Sequence, residues 1–231
     1  MVRFVLTLFT VTGFFLGLVL GQSPASKILD VYGGKSFCYR GLRLEVLGTL
    51  ETPKGSAAFQ LQIKGEKSRL EIPGEVFLRD GMLGQVIMEG NRKSEARWIR
   101  HGFQEAALLP VILVARLEDY QFEGRSEEMY WFSSSIPIKR FLGYDPPPPA
   151  VFLGFHSETL RLQTARFIDK FKQSEIQVRY SDYKDIHGAP FPTMIERMEG
   201  NFVFHRFRIQ SVKVNPDFAD SDLDIVTEGG R

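Results

Sequence analysis

Leu42-Arg43-Leu44-Glu45-Val46-Leu47-Gly48-Thr49-Leu50-Glu51-Thr52-Pro53-Lys54-Gly55-Ser56-Ala57-Ala58-Phe59-Gln60-Leu61-Gln62-Ile63-Lys64 is the stretch on which the fold turns. Leu42, Leu44 and Val46 alternate with Arg43 and Glu45, and Phe59, Leu61 and Ile63 alternate with Gln60, Gln62 and Lys64. A period of two puts the apolar side chains on one face of a strand. Thr52-Pro53-Lys54-Gly55 has the composition of a turn, so the two runs form an antiparallel hairpin. The same pattern continues outward. Gly65-Glu66 turns the chain into a third strand, Ser68 to Ile72, which ends at Pro73-Gly74. Shorter strands are expected at 77–79, 85–89, 96–99, 120–124 and 129–133. Longer ones are expected at 159–167, 176–183, 193–199, 201–208 and 209–214. A change in apolar parity between Ile209 and Val212 implies a bulge near Gln210-Ser211.

Two segments break the β pattern. Ser23-Pro24-Ala25-Ser26 opens a short helix, with Ser23 as cap and Pro24 at its first position, and Gly33-Gly34 stops it. Gln104 to Leu117 is almost wholly apolar and reads as a helix that Pro110 bends or interrupts. A helix apolar nearly all round must be covered on most sides. The fold class is therefore mainly β: an antiparallel meander of about 10–11 short strands, curled into a barrel or a strongly bent sheet, with one or two helices. Asp145 and the prolines 146–149 make a stiff connector within one domain. The tail from Asp217 is acidic and is expected to fray.

The first residues address the chain. Arg3 is followed by an apolar run from Phe4 to Leu20, and Val19-Leu20-Gly21 offers a cleavage site before Gln22. Residues 1–21 read as a secretory signal peptide and 22–231 as one mature domain. The alternative is an uncleaved membrane anchor, since about 17 apolar residues is the short edge of what spans a bilayer. Loss of Arg3 takes lysine plus arginine from 29 to 28 against 28 acidic residues, a formally neutral domain. That balance gives no electrostatic footprint for nucleic acid. Cys38 is the sole cysteine, so no internal disulfide forms, and a small buried filler is the expected role.

No catalytic or metal spacing emerges. His101, His156, His187 and His205 are far apart and none falls in H-E-x-x-H. His187 sits in a turn before Gly188. No G-x-S-x-G elbow and no phosphate-binding glycine loop occurs; Gly33-Gly34 and Gly81 with Gly84 read as turns. Glu127-Glu128 and Asp182 with Asp185 lie in or near loops. The expectation is a non-enzyme with no cofactor and no metal. The positive signal is apolar. A curled sheet of this size can hold a ligand inside, and each buried methylene is worth about 0.8 kcal/mol. The residues expected to line such a cavity are Leu44, Val46, Phe59, Leu61, Leu70, Phe77, Leu108, Leu109, Ile112 and Leu113. The bland reading of each is plain core, and the 20 phenylalanines with Trp98 and Trp131 suit either.

One resemblance adds to this. Val178-Arg179-Tyr180-Ser181-Asp182-Tyr183-Lys184-Asp185-Ile186-His187-Gly188-Ala189-Pro190-Phe191-Pro192 resembles the late hairpin of the LolA-like outer-membrane lipoprotein-sorting proteins. Val212-Lys213-Val214-Asn215-Pro216 with Phe218 resembles that family's closing run. The short helix ending in Gly33-Gly34, the first strand with Gly48 inside it, Leu108-Leu109-Pro110, and Tyr120 before Phe122-Glu123-Gly124 are similar as well. The resemblance implies a fold that is mainly β with an α lid: a curled antiparallel sheet forming an incomplete, half-open β-barrel closed by the apolar helix. It implies a monomeric periplasmic carrier of lipids or lipoprotein acyl chains, passing cargo between inner- and outer-membrane donor and acceptor proteins. The rival expectation is an envelope protein-interaction module of the same fold, with a filled core and no ligand.

Overall fold

The computed structural model describes residues 22–34, 43–65, 67–80, 83–88, 92–93, 97–98, 109–115, 117–134, 150–169 and 174–225. The signal segment 1–21, Cys38, Leu42, His101 and the proline connector 146–149 lie outside these. Among the described residues one antiparallel sheet holds fourteen strands. In chain order they are β1 (Arg43–Thr52), β2 (Gly55–Lys64), β3 (Lys67–Ile72), β4 (Glu75–Asp80), β5 (Leu83–Met88), β6 (Arg92–Lys93) and β7 (Arg97–Trp98). There follow β8 (Gln121–Ser126), β9 (Met129–Ser134), β10 (Ala150–His156), β11 (Leu162–Asp169), β12 (Ser174–Ile186), β13 (Ala189–Glu199) and β14 (Phe202–Val214). Strands run in the order β6-β5-β4-β3-β2-β1-β14-β13-β12-β11-β10-β9-β8, with β7 on β5. Among the described residues the edges β6 and β8 do not pair, so the curled sheet stays open, as the family resemblance implied.

The hairpin of β1 and β2 forms in the expected register, with Thr52 opposite Gly55, Val46 opposite Leu61 and Leu44 opposite Ile63. Alternation then does what it predicts: Leu44, Val46, Phe59, Leu61 and Ile63 are buried. The join of the two halves of the chain, β1 against β14, spans more than 150 residues and needs one close approach. A Cβ on Gly48 would lie 2.1 Å from the Arg208 carbonyl oxygen and 2.8 Å from Phe59 Cε1, so only glycine fits. The register shifts there, with Leu47 opposite Ser211 and Gly48 opposite Ile209, leaving Gln210 as the bulged residue foreseen from parity. On the outer face this seam is marked by charge. Lys213 Nζ lies 2.5 Å from Glu45, and Arg206 and Arg208 lie 3.1 and 2.5 Å from Glu51. Hydrogen bonds from those cations hold both carboxyls below the usual carboxylate range. Exposed pairs of this kind fix register more than they stabilise.

Helix α1 (Pro24–Val31) begins as expected: the Ser26 N–H donates to Ser23 Oγ at 3.2 Å and Pro24 is at the first position. Gly33 and Gly34 then take φ of 83° and 71°, which ends it. The structure corrects other expectations. In its described residues, 109–115 and 117, the apolar segment holds a five-residue helix, α2 (Pro110–Val114), and the start of a 3-10 turn, Leu117–Asp119. Pro110 interrupts the segment, one of the two expected outcomes: Leu109 is extended and Pro110 opens α2, because its ring fixes φ and lacks the N–H that a first position leaves unused; the expected helix over 104–108 lies outside the described residues. Strands expected at 201–208 and 209–214 are one strand, since a bulge bends the ladder without ending it. Gly84 sits inside β5 and not in a turn, and Asp182 and Asp185 lie on β12. Strand β10 was not foreseen.

The tail is the largest correction. Asn215, at φ 53°, turns the chain back: its N–H donates to the Arg43 carbonyl oxygen at 2.7 Å. Residues 217–225 then cross the outer face of β3 and β4 as a strap, with a 3-10 turn at Asp220–Leu223. Leu223 is fully buried, Phe218 nearly so, and Leu78 on the outer side of β4 is buried where the strap lies. Arg43 and Lys64 pair with Asp220, Lys67 Nζ lies 2.6 Å from Asp224, and Arg43 Nη1 donates to the Phe218 carbonyl oxygen at 2.7 Å. Acidic composition suggested a solvated end; three basic side chains, from β1, β2 and β3, and two apolar anchors dock it instead.

Candidate functional site

The concave face of the sheet and α2 enclose one continuous apolar core. Leu109, in extended conformation just before α2, enters it with Val111, Leu113, Val114 and Leu117, all buried. This short segment is the cover of the concave face. It packs against β13, and its 3-10 turn packs against α1. Beneath it lies a void of about 10 Å³ lined by Val46, Phe59, Leu61, Leu109, Ile195, Phe207 and Ile209. Phe59 and Phe207 meet edge to face at 5.3 Å across the β1–β14 seam. Every lining side chain is apolar, and the space equals about one water, which would find no polar partner there.

The structure brings Val46, Phe59, Leu61 and Leu109 together around this void. Leu44, Leu70 and Leu113 are buried in the same core, and Phe77 is half-buried against it. Ile112 is on α2, described in its backbone alone, and Leu108 lies outside the described residues. Three lining residues were not anticipated: Ile195, Phe207 and Ile209, on β13 and β14. Their alternation was visible in the sequence, but nothing local says that β14 pairs with β1.

One end of the interior is different. Tyr32, the residue that closes α1, is fully buried, and its hydroxyl oxygen accepts from the Leu162 N–H at 3.0 Å. The Tyr183 hydroxyl donates to the Leu162 carbonyl oxygen. Leu162 needs both, because pairing of β11 with β12 begins only at Thr164. Tyr180 and Tyr120 lie nearby, and burial raises the phenols of Tyr180 and Tyr183 well above the usual tyrosine range, so both stay protonated. On the outside, the Arg161 guanidinium sits 5.4 Å over the Tyr183 ring, beside a polar cleft of about 350 Å³ lined by Val31, Thr159, Arg161, Asp185, Gly188 and Pro190.

Among the described residues the titratable side chains form no convergent set. His187 is an exposed turn residue at φ 53°. His156 Nδ1 accepts from the Glu158 and Thr159 N–H groups and its Nε2 lies 3.6 Å from Glu128. His205 is half-buried against Phe207, and desolvation lowers its pKa. Among the described residues no three His, Cys, Asp or Glu side chains could share a metal ion. No described helix is long and apolar enough to cross a membrane.

The sequence matches no protein-family model and no curated protein. Solved structures do match. A LolA superfamily protein from Nitrosomonas europaea aligns over 87% of this chain and 97% of its own, with a TM-score of 0.57 and 18% identity. A domain from Vibrio parahaemolyticus named for outer membrane lipoprotein sorting aligns over 87% and 97%, with a TM-score of 0.56 and 12% identity. A DUF1329 family protein from Desulfovibrio piger aligns over 87% and 98%, with a TM-score of 0.57 and 12% identity. The open, curled antiparallel sheet of this chain, aligned over nearly the full length of those three structures, has the LolA-like fold.

Proposed function

We propose that the protein is a non-catalytic carrier of acyl chains, of lipids or of lipoproteins, in the cell envelope. Residues 1–21 would direct it to the periplasm and be removed there, and it would act as a monomer. The observation that carries this reading is the cover: five buried apolar side chains over a void lined by apolar side chains alone. Uncovering side chains of this kind costs about 1.5–3 kcal/mol each, so displacing all five costs about 7–15 kcal/mol. A sixteen-carbon chain buried in their place returns about 12 kcal/mol at 0.8 per methylene. These opposing quantities nearly balance, the condition a carrier needs to load and unload reversibly. The guest replaces the cover and does not join it, since about 10 Å³ admits no chain.

The same small void favours a second reading, an envelope interaction module whose filled core binds nothing. Native mass spectrometry and lipid extraction of protein purified from an envelope fraction separate the two. The carrier should bring acyl lipid with it and should bind added fatty acyl probes. Protein that never carries lipid and leaves such probes unchanged contradicts the carrier reading and favours the module.

A further inference from the structure

The tyrosine-lined end of the interior contains one group with no visible task. Tyr180 on β12 is 4% exposed and points to the concave face with Ile176 and Val178. It is directly opposite Ile195 in the β12–β13 register, and Ile195 is opposite Phe207 on β14. Both of those residues line the void. Tyr32 and Tyr183 commit their hydroxyls to the backbone of Leu162. The Tyr180 hydroxyl is shielded from solvent and has no hydrogen-bond partner among the described residues. A buried donor without an acceptor destabilises the free protein, and phenylalanine would fill the same space without that penalty.

We propose that Tyr180 is the polar anchor of the acyl site, its hydroxyl donating to a carbonyl oxygen of the guest. The class of ligand is thereby narrowed to chains bearing an ester or carboxyl group, with the chain lying over Ile195 and Phe207 in the place the displaced cover leaves. This rests on the carrier reading above. One donor placed at one end of an apolar row also fixes which way the chain enters.

The test is displacement of diphenylhexatriene, a hydrocarbon probe with no oxygen, from the wild type and Tyr180→Phe. The competitors are methyl laurate, lauric acid and tetradecane. The variant should bind methyl laurate, lauric acid or both about tenfold more weakly and tetradecane equally. Whichever oxygenated guest shows the loss identifies ester or carboxyl as the source. Equal loss for all three, or no loss for either oxygenated guest, overturns the anchor and leaves the carrier standing. A wild type that takes up neither probe nor guest overturns the carrier reading, and the anchor with it. In the free state the variant's unfolding midpoint should be unchanged or raised; a lowered midpoint means that the hydroxyl has a partner inside the protein, which also overturns the proposal.

Discussion

Leu223→Ala tests whether the acidic C-terminal segment is part of the folded domain. Leu223 is fully buried under the 3-10 turn that crosses β3 and β4, although it lies eight residues from the end of the chain. Truncating a buried leucine costs about 2–5 kcal/mol, depending on how far the surroundings collapse. Here the site is roofed by a nine-residue strap able to settle, so the lower half applies, about 2–3 kcal/mol. In a domain of this size that corresponds to roughly 4–12 °C in the unfolding midpoint. Urea titration followed by tryptophan fluorescence measures it, with the exposed Ser221→Ala as the control that should change little. A loss under about 0.5 kcal/mol, the range of ordinary surface substitutions, would refute the docked strap.

Other outcomes follow from the same geometry. Gly48→Ala must move the Arg208 backbone, whereas Gly154→Ala meets only the Met129, Thr164 and Trp131 side chains at 2.8–3.0 Å. The first should cost about 2–3 kcal/mol and the second clearly less, and equal costs in denaturant titrations would contradict the β1–β14 approach. Tyr32→Phe leaves the buried Leu162 N–H without its acceptor and should cost about 1–3 kcal/mol, unlike Tyr180→Phe; thermal melts compare them. Acid should loosen the strap. The hydrogen bond from Lys64 holds Asp220 below its usual 3.8, so its contribution is present above that pH and is lost as pH falls through the lower folded value. Amide exchange of residues 217–225 should rise below about pH 4 before that of β1 and β2; simultaneous release would count against it.

Much of the sheet was legible because its decisive signals are local. Val46 and Leu61 face each other because Thr52 to Gly55 fixes the turn and alternation fixes the face. The bulge at Gln210 was legible for the same reason, as a parity change within a few residues. What was hidden depends on partners distant in sequence. Ile195, Phe207 and Ile209 reach the void only because β14 crosses back to β1, where Gly48 permits it. The strap was misread because acidity is local, while Arg43, Lys64 and Lys67, which neutralise it, come from the other end of the chain. The apolar segment around Pro110 declared a need for cover but not its form. A first-position proline and an extended Leu109 open a separate short helix there.

The central claim is that an acyl chain enters by displacing the segment 109–117. Hydrogen–deuterium exchange with and without bound methyl laurate tests it most directly. The Ala115 N–H, bonded to the Val111 carbonyl oxygen at 3.1 Å, reports on α2. The account predicts faster exchange across 111–117 when the ester is bound, with the β1–β2 hairpin unchanged. Exchange in the cover that stays the same or slows while the ester is demonstrably bound would contradict it.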